Sequence, residues 1–298
     1  MSSNLNTLYP IGVRYMLLSA LGFALMAACV KEVSQYGIPL MEIIAARAVV
    51  SLMLCYLDVK RKGISLLGGN KVLLAARGVV GSFALICVYY AIVALPLAEA
   101  TLIQYMHPAF TAVIALLFLK ERIHISTLIC ILLSLIGLAL MVNPSLFFQQ
   151  QESVALPWFS VSIGLLGAIG SAIAYVLVRK LSQTEDSSVI IFYFPLIALP
   201  LSILLPGESF VMPDLTALLL LILVGVFTQV GQVGLTKAMQ TEGAGKATAY
   251  SYIQVVFAVI LGWVFFAEIP TLWTWVGGGL IVAGALVNTL GRRVWKKG

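Results

Sequence analysis

EATLIQYMHPAFTAVIALLFLKE, residues 99–121, decides how this chain folds, because KATAYSYIQVVFAVILGWVFFAE, residues 246–268, repeats it without a gap. At the offset of 147 Ala100 falls on Ala247, Thr101 on Thr248, Tyr105 on Tyr252, Phe110 on Phe257, Phe118 on Phe265 and Glu121 on Glu268. The register extends beyond the stretch, where Ala91 meets Ala238, Thr127 meets Thr274 and Gly137 meets Gly284. An offset close to half of 298 residues points to an internal duplication.

The solvent of the duplicated unit follows from composition. Hydrophobic residues make up 61% of the chain and charged residues 10%, against roughly a quarter charged in a soluble domain. A spanning helix needs about 20 apolar residues, and ten such runs lie near 11–30, 38–57, 72–95, 98–118, 125–143, 157–178, 187–205, 214–236, 247–267 and 271–290. Little chain is left for a soluble domain. The expectation is an all-α integral membrane protein, multi-pass in a plasma membrane or bacterial inner membrane.

The net charge of +6 sorts by connection and points to the bilayer, with no nucleic-acid partner expected. Lys60, Arg61, Lys62, Lys71 and Arg77 follow the second run, Lys120, Arg122 and His124 the fourth, Arg179 and Lys180 the sixth, and Lys237 and Lys246 the eighth. Arg292, Arg293, Lys296 and Lys297 close the chain, whereas the other connections carry Glu99, Glu152, Glu208, Asp214 and Glu268, with Lys31 as the only lysine or arginine among them. The positive-inside rule then places both the N- and C-termini in the cytoplasm, which ten spans satisfy. Five spans per half is odd, so the halves enter the membrane from opposite sides: two inverted-topology five-helix repeats. Their expected limits are residues 1–146 and 157–298, joined by an external linker at 147–156. Two similar halves in opposite orientation can expose one midplane site alternately.

That site is sought among polar residues inside spans. At 100° per residue Thr101, Gln104, His107, Pro108 and Thr111 fall within about 120° of arc, a polar stripe unsuited to lipid. The repeat sets Thr248, Ser251 and Gln254 on the matching face, with Gln254 at the position of His107. His107 is the histidine within a span, able to donate, accept or take a proton, and packing between helices is its alternative role. Gln229, Gln232 and Thr236 share a face of the eighth run, and Tyr89 lies late in the third. Glutamine in hydrocarbon is costly unless satisfied, by an aqueous cavity or by a neighbouring helix. The expected substrate contacts are His107, Gln104, Thr101, Gln254, Ser251, Tyr252, Gln232 and Tyr89. Arg47 sits ~12 Å below the outer surface and has two readings, a substrate carboxylate or phosphate against a structural role. Glu121 and Glu268 end their spans as turn anchors or gate partners.

Together Pro108 and Phe110 leading to Leu119, Lys120 and Glu121, the counterpart from Phe257 to Glu268, Arg47, and Ala91, Leu97 and Ala98 resemble the EamA family of the drug/metabolite transporter superfamily. The resemblance runs along essentially the whole chain. It implies ten helices in two inverted halves, a cavity lined mainly by spans 1, 3, 4, 6, 8 and 9, and transport of small metabolites, often outward. It also implies a structural role for Arg47, capping carbonyls or pairing with a glutamate. One departure is Val255 where the first half has Pro108, which leads to the expectation of an unkinked ninth span.

The expected function is therefore a secondary exporter or exchanger of a small metabolite, such as an amino acid or related polar or amphipathic solute. A multidrug or cation efflux protein is the alternative, and an intramembrane enzyme is the alternative from another class. The enzyme lacks a constellation: Asp58, Asp186 and Asp214 all lie at span ends. Cys29, Cys55, Cys87 and Cys130 have no metal-ligand spacing, so neither a metal nor a cofactor is expected. Gly164, Gly167 and Gly170 at spacing three in the sixth run, and Gly277, Gly278, Gly279, Ala283 and Gly284 in the tenth, read as packing faces, the tenth suiting either the chain itself or a homodimer.

Overall fold

A computed structural model describes residues 11–95, 97–142, 157–204, 210–267 and 269–294. The expected linker, Glu268 and the side chain of Tyr89 lie outside the described residues. In chain order the helices are α1 (Ile11–Ser34), α2 (Leu40–Lys62), α3 (Lys71–Ala94), α4 (Leu97–Gln104), α5 (His107–Phe118), α6 (Ile125–Val142), α7 (Trp158–Leu181), α8 (Ser187–Leu204), α9 (Leu215–Thr241), α10 (Ala244–Ala249), α11 (Ile253–Phe266) and α12 (Leu272–Val294). A 3-10 turn at Tyr250–Tyr252 joins α10 to α11, and no strand occurs among the described residues.

In hydrocarbon each backbone polar group must be satisfied within the protein, which favours helices, and their ends carry identifiable caps. Asn70 Oδ1 accepts from Leu73 N at 3.1 Å and Asp214 Oδ1 from Ala217 N at 2.7 Å. Gly63 closes α2 in the left-handed conformation. Among the described residues, eight segments are long and apolar enough to cross a membrane: α1, α2, α3, α7, α8, α9, the α10–α11 unit and α12. Two shorter apolar helices, α5 and α6, accompany them. The expected fourth run is divided into α4 and α5.

Side chains are distributed as lipid demands. Leu117 and Phe118 of α5, Leu132 of α6, Leu219 of α9 and Val264 of α11 are exposed, while Arg47, Arg77, His107, Thr228 and Asn288 are buried. Polar inside and apolar outside is the arrangement of a membrane protein.

Helices meet through small residues, and the pairings alternate between the halves. α1 packs on α9 and α3 on α7, α2 on α8, and α6 on α12. A Cβ placed at Gly22 of α1 would lie 2.8 Å from the Gly231 nitrogen of α9, and Ser19 Oγ donates to the Gly231 carbonyl at 2.7 Å. Gly164, Gly167 and Gly170 press on α3 at Ala91, Val88 and Ala84, as their spacing leads one to expect. In α12, Gly277 meets the Gly137 carbonyl and Gly284 the Cys130 carbonyl, so these two glycines pack within the chain. Gly278 and Gly279 face open space.

Both duplicated stretches are interrupted at equivalent positions. The helix breaks after Gln104, before the Pro108 turn, and its echo breaks at Tyr250–Tyr252 with no proline at all. The ninth span, expected to be unkinked, tightens there to a 3-10 turn while its backbone stays in the right-handed helical region. Each stretch also ends on a left-handed residue, Lys120 at φ 55° and Ala267 at φ 53°, again 147 apart. An L-residue adopts that conformation at a cost of about 1–2 kcal/mol, so its recurrence reflects a shared requirement of the helix exit.

Candidate substrate site

The break between α4 and α5 sets His107 at the head of α5, where it is buried. Its ring stands edge-on to Tyr175 of α7 at 5.1 Å and lies 6.1 Å from Tyr105. His107 Nδ1 and Gln104 Oε1 are buried without a hydrogen-bond partner among the described residues. Two such orphans on one face leave bonding capacity directed into the protein, which costs free energy unless water or a ligand satisfies it. Thr101 is half-buried beside them, while Thr111 donates to the His107 carbonyl at 2.7 Å and is used up locally.

The repeated face of the ninth span is arranged differently. Tyr252 is fully buried, stacks on Tyr105 at 5.9 Å and donates to the Tyr105 carbonyl at 2.8 Å, so it joins the two broken helices. Thr248 donates to the Ala244 carbonyl and Ser251 to the Thr248 carbonyl, each within its own turn. Gln254 is half-buried on α11 and makes no hydrogen bond among the described residues. The repeat mates brought into contact are Tyr105 and Tyr252; His107 has Tyr105 and Tyr175 as its ring neighbours.

Beyond Tyr175 lies a second cluster, in which Arg47 and Gln232 were singled out by sequence and Arg77 was not. Arg77 was expected among basic connection residues, but Asn70 caps α3 early and puts Arg77 about 9 Å inside the helix. It is 3% exposed. Its guanidinium carbon is 4.8 Å from the Phe194 ring centroid, and that of Arg47 is 5.6 Å from the same ring. Arg77 Nη2 donates to Gln232 Oε1 at 3.3 Å, and its Nε and Nη1 have no partner among the described residues. Tyr175 lies within electrostatic reach of Arg77 and so links this cluster to His107.

The glutamate partner implied for Arg47 is not found among the described residues, and the glutamate on its own helix, Glu42, accepts instead from Val211 N at 2.8 Å. Gln229 is satisfied between helices, accepting from Ser51 Oγ at 2.5 Å and donating to Cys55 Sγ at 3.1 Å. The space bounded by Arg47, Ser51, Phe194, Thr228 and Gln232 measures about 10 Å³, room for one water. The signal available in the sequence was an arginine six residues into the apolar run that begins at Val72.

A far larger cleft, about 670 Å³, opens elsewhere, beside residues 121–127 and 241–246. Glu121 borders it, accepting from Arg179 Nε at 2.7 Å and from Ala244 N at 2.7 Å, while Arg179 Nη1 donates to the Met239 carbonyl. Glu121 thus bonds both the end of α7 and the head of α10. On α2, Lys62 bridges Asp58 at 2.6 Å and Asp186 at 2.9 Å, and Glu185 accepts from Gly69 N and Asn70 N. The cleft is lined mostly by residues 121–127 and 241–246, with Ala112, Ala115, Arg179 and Asn288 of the helices behind them. No group of three or more His, Cys, Asp or Glu side chains able to hold a metal is found among the described residues.

Residues 10–143, and again 158–290, match the EamA-like transporter family. The chain belongs to the EamA-like transporter family. This EamA-like protein is 36% identical over 276 residues to the pseudopaline exporter CntI of Pseudomonas aeruginosa, covering 92% of this chain and 94% of that one. It is 34% identical to solute carrier family 35 member G1 of Mus musculus, over 97% of this chain and 80% of the relative. A solved crystal structure shares its fold with a TM-score of 0.83 at 18% identity, covering 95% of this chain and 98% of the other. The EamA-like chain is a multi-pass integral membrane protein and a transporter of the drug/metabolite type.

Proposed function

We propose that the protein is a secondary exporter of a small metabolite, working by alternating access between two inverted halves of five spans each, with both termini cytoplasmic. The halves correspond to residues 1–146 and 157–298. The observation that carries this reading is the paired interruption of α4–α5 and α10–α11, with Tyr105 and Tyr252 in contact where the breaks meet. Broken spans at the centre of a bundle supply local hinges and free polar groups for a solute. The contacts of Gly137 with Gly277 and of Cys130 with Gly284 exchange with one another under the same offset, which sets Gly137 on Gly284 and Cys130 on Gly277.

His107, Gln104 and Gln232 are the proposed solute contacts, with Thr101, Ser251 and Gln254 on the flanking faces, and Tyr105 and Tyr252 as the hinge seam. The lane holds only about 10 Å³ beside Arg47, while Glu121–Arg179 and Lys62–Asp186 tie the proposed cytoplasmic ends together. Export as the direction rests on the relative named a pseudopaline exporter.

The test is reconstitution into liposomes, with efflux followed for amino acids, organic acids, nucleosides and cationic drugs, alongside reporter fusions at both ends of the chain. Saturable, protein-dependent efflux of one class and two cytoplasmic ends are expected. Reporters on opposite sides would overturn the inverted ten-span plan.

A further inference from the structure

The Arg47–Arg77 cluster has donors in excess and acceptors already used. Arg77 is buried with Nε and Nη1 unpartnered, and Thr228 Oγ1 is buried and unpartnered on a small space that Arg47, Phe194 and Gln232 also line, the last two being the ring and the acceptor that Arg77 meets. Gln232 Oε1 is already engaged by Arg77 and Gln229 Oε1 by Ser51. The carboxylate further along α2, Asp58, is held by Lys62 and by Ser188 Oγ. Phe194, against which both guanidinium groups lie, supplies a ring face in place of a counter-ion. Two like charges facing one ring in a low-dielectric interior repel each other, and each is costly to desolvate unless paired.

We propose that Arg47 and Arg77, with the Thr228 hydroxyl, bind a carboxylate group of the transported solute. The solute of this transporter is thereby a small carboxylate-bearing molecule. A carboxylate offers about four lone-pair sites in one plane, and the guanidinium fork matches it with parallel donors. The remainder of the solute extends past Tyr175 towards His107 and Gln104, the other unpartnered buried groups. This assignment rests on the transport reading for what happens to the ligand, and not for its binding.

The experiment uses the full chain in detergent, with formate as the minimal carboxylate probe and chloride, inorganic phosphate and choline chloride at matched ionic strength. Formate at about ten times its dissociation constant is expected to raise the wild-type Tm by roughly 4 °C over chloride. Arg77→Met and Arg47→Met are expected to lose that rise. Arg77→Met is also expected to melt no lower than wild type without formate, since an apolar side chain of similar length removes an unpaired buried charge; a purely structural arginine would melt lower. Should either variant fail to fold, Thr228→Val carries the comparison, with a weakened formate response. Equal responses to formate, chloride and phosphate would overturn the carboxylate assignment, and so would an undiminished formate response in the variants. Proteoliposome efflux of radiolabelled succinate separates the two readings. Formate binding without transport of any solute leaves the site standing and removes the transport reading. Transport of an uncharged solute that Arg77→Met leaves unchanged removes the site alone.

Discussion

Glu121 and Arg179 offer the sharpest energetic test, because one carboxylate spans three elements. Its Oε1 takes Arg179 Nε from the end of α7, and its Oε2 takes Ala244 N at the head of α10, both at 2.7 Å. A hydrogen bond to a charged group contributes about 1.5–3 kcal/mol. The side chains are 19% and 23% exposed, so solvent screening reduces this to roughly 1–2 kcal/mol. Glu121→Gln keeps an oxygen for Ala244 N but removes the charge, and Arg179→Gln removes the other half of the pair. Each single variant is expected to lower Tm by about 2–8 °C in detergent. The double variant is expected to fall short of the sum by about 1–2 kcal/mol of coupling. Thermal unfolding of the four proteins under one condition supplies the cycle, and repeating it at high salt should shrink the coupling only modestly. Additivity within about 0.5 kcal/mol would refute the view that this pair fastens the ends of α7 and α10.

Three further outcomes follow from local geometry. Gly22→Ala drives a Cβ into the Gly231 backbone and should cost about 1–3 kcal/mol in thermal unfolding, whereas Gly279→Ala meets nothing within 4 Å and should be neutral or stabilising. Ala267→Gly relieves a left-handed residue at φ 53° and should gain about 0.5–1 kcal/mol after the entropic cost of glycine; a lower Tm would contradict the strain. His107→Ala should cut solute efflux from proteoliposomes at least tenfold, about 1.4 kcal/mol, with the protein still folded, and unchanged efflux would remove His107 from the solute path.

Arg77 shows where sequence reasoning stops. Counted by sign it joined the basic residues that orient the chain, since Lys60, Arg61, Lys62 and Lys71 precede it closely. Its depth depends on where α3 begins, and the Asn70 cap decides that. His107 and Gln104 were legible because both lie well inside an apolar run and share a helical face. The role of Tyr252 was not, since its hydroxyl bonds to a carbonyl 147 residues away.

By itself the sequence determined the solvent, the helical class and the repeat, because each is written in local quantities: the length of an apolar run, its residual charge, and a string recurring at one offset. It also marked Gly164, Gly167 and Gly170 as a contact face, since helical periodicity assigns faces without naming partners. Only the tertiary structure decided which faces meet. It turned Gly277 and Gly284 inward onto α6, interrupted the ninth span without a proline, and set Arg47 and Arg77 against one phenylalanine. Those outcomes depend on packing between helices far apart in the chain, where shape and unpaired charge, and not local propensity, set the free energy.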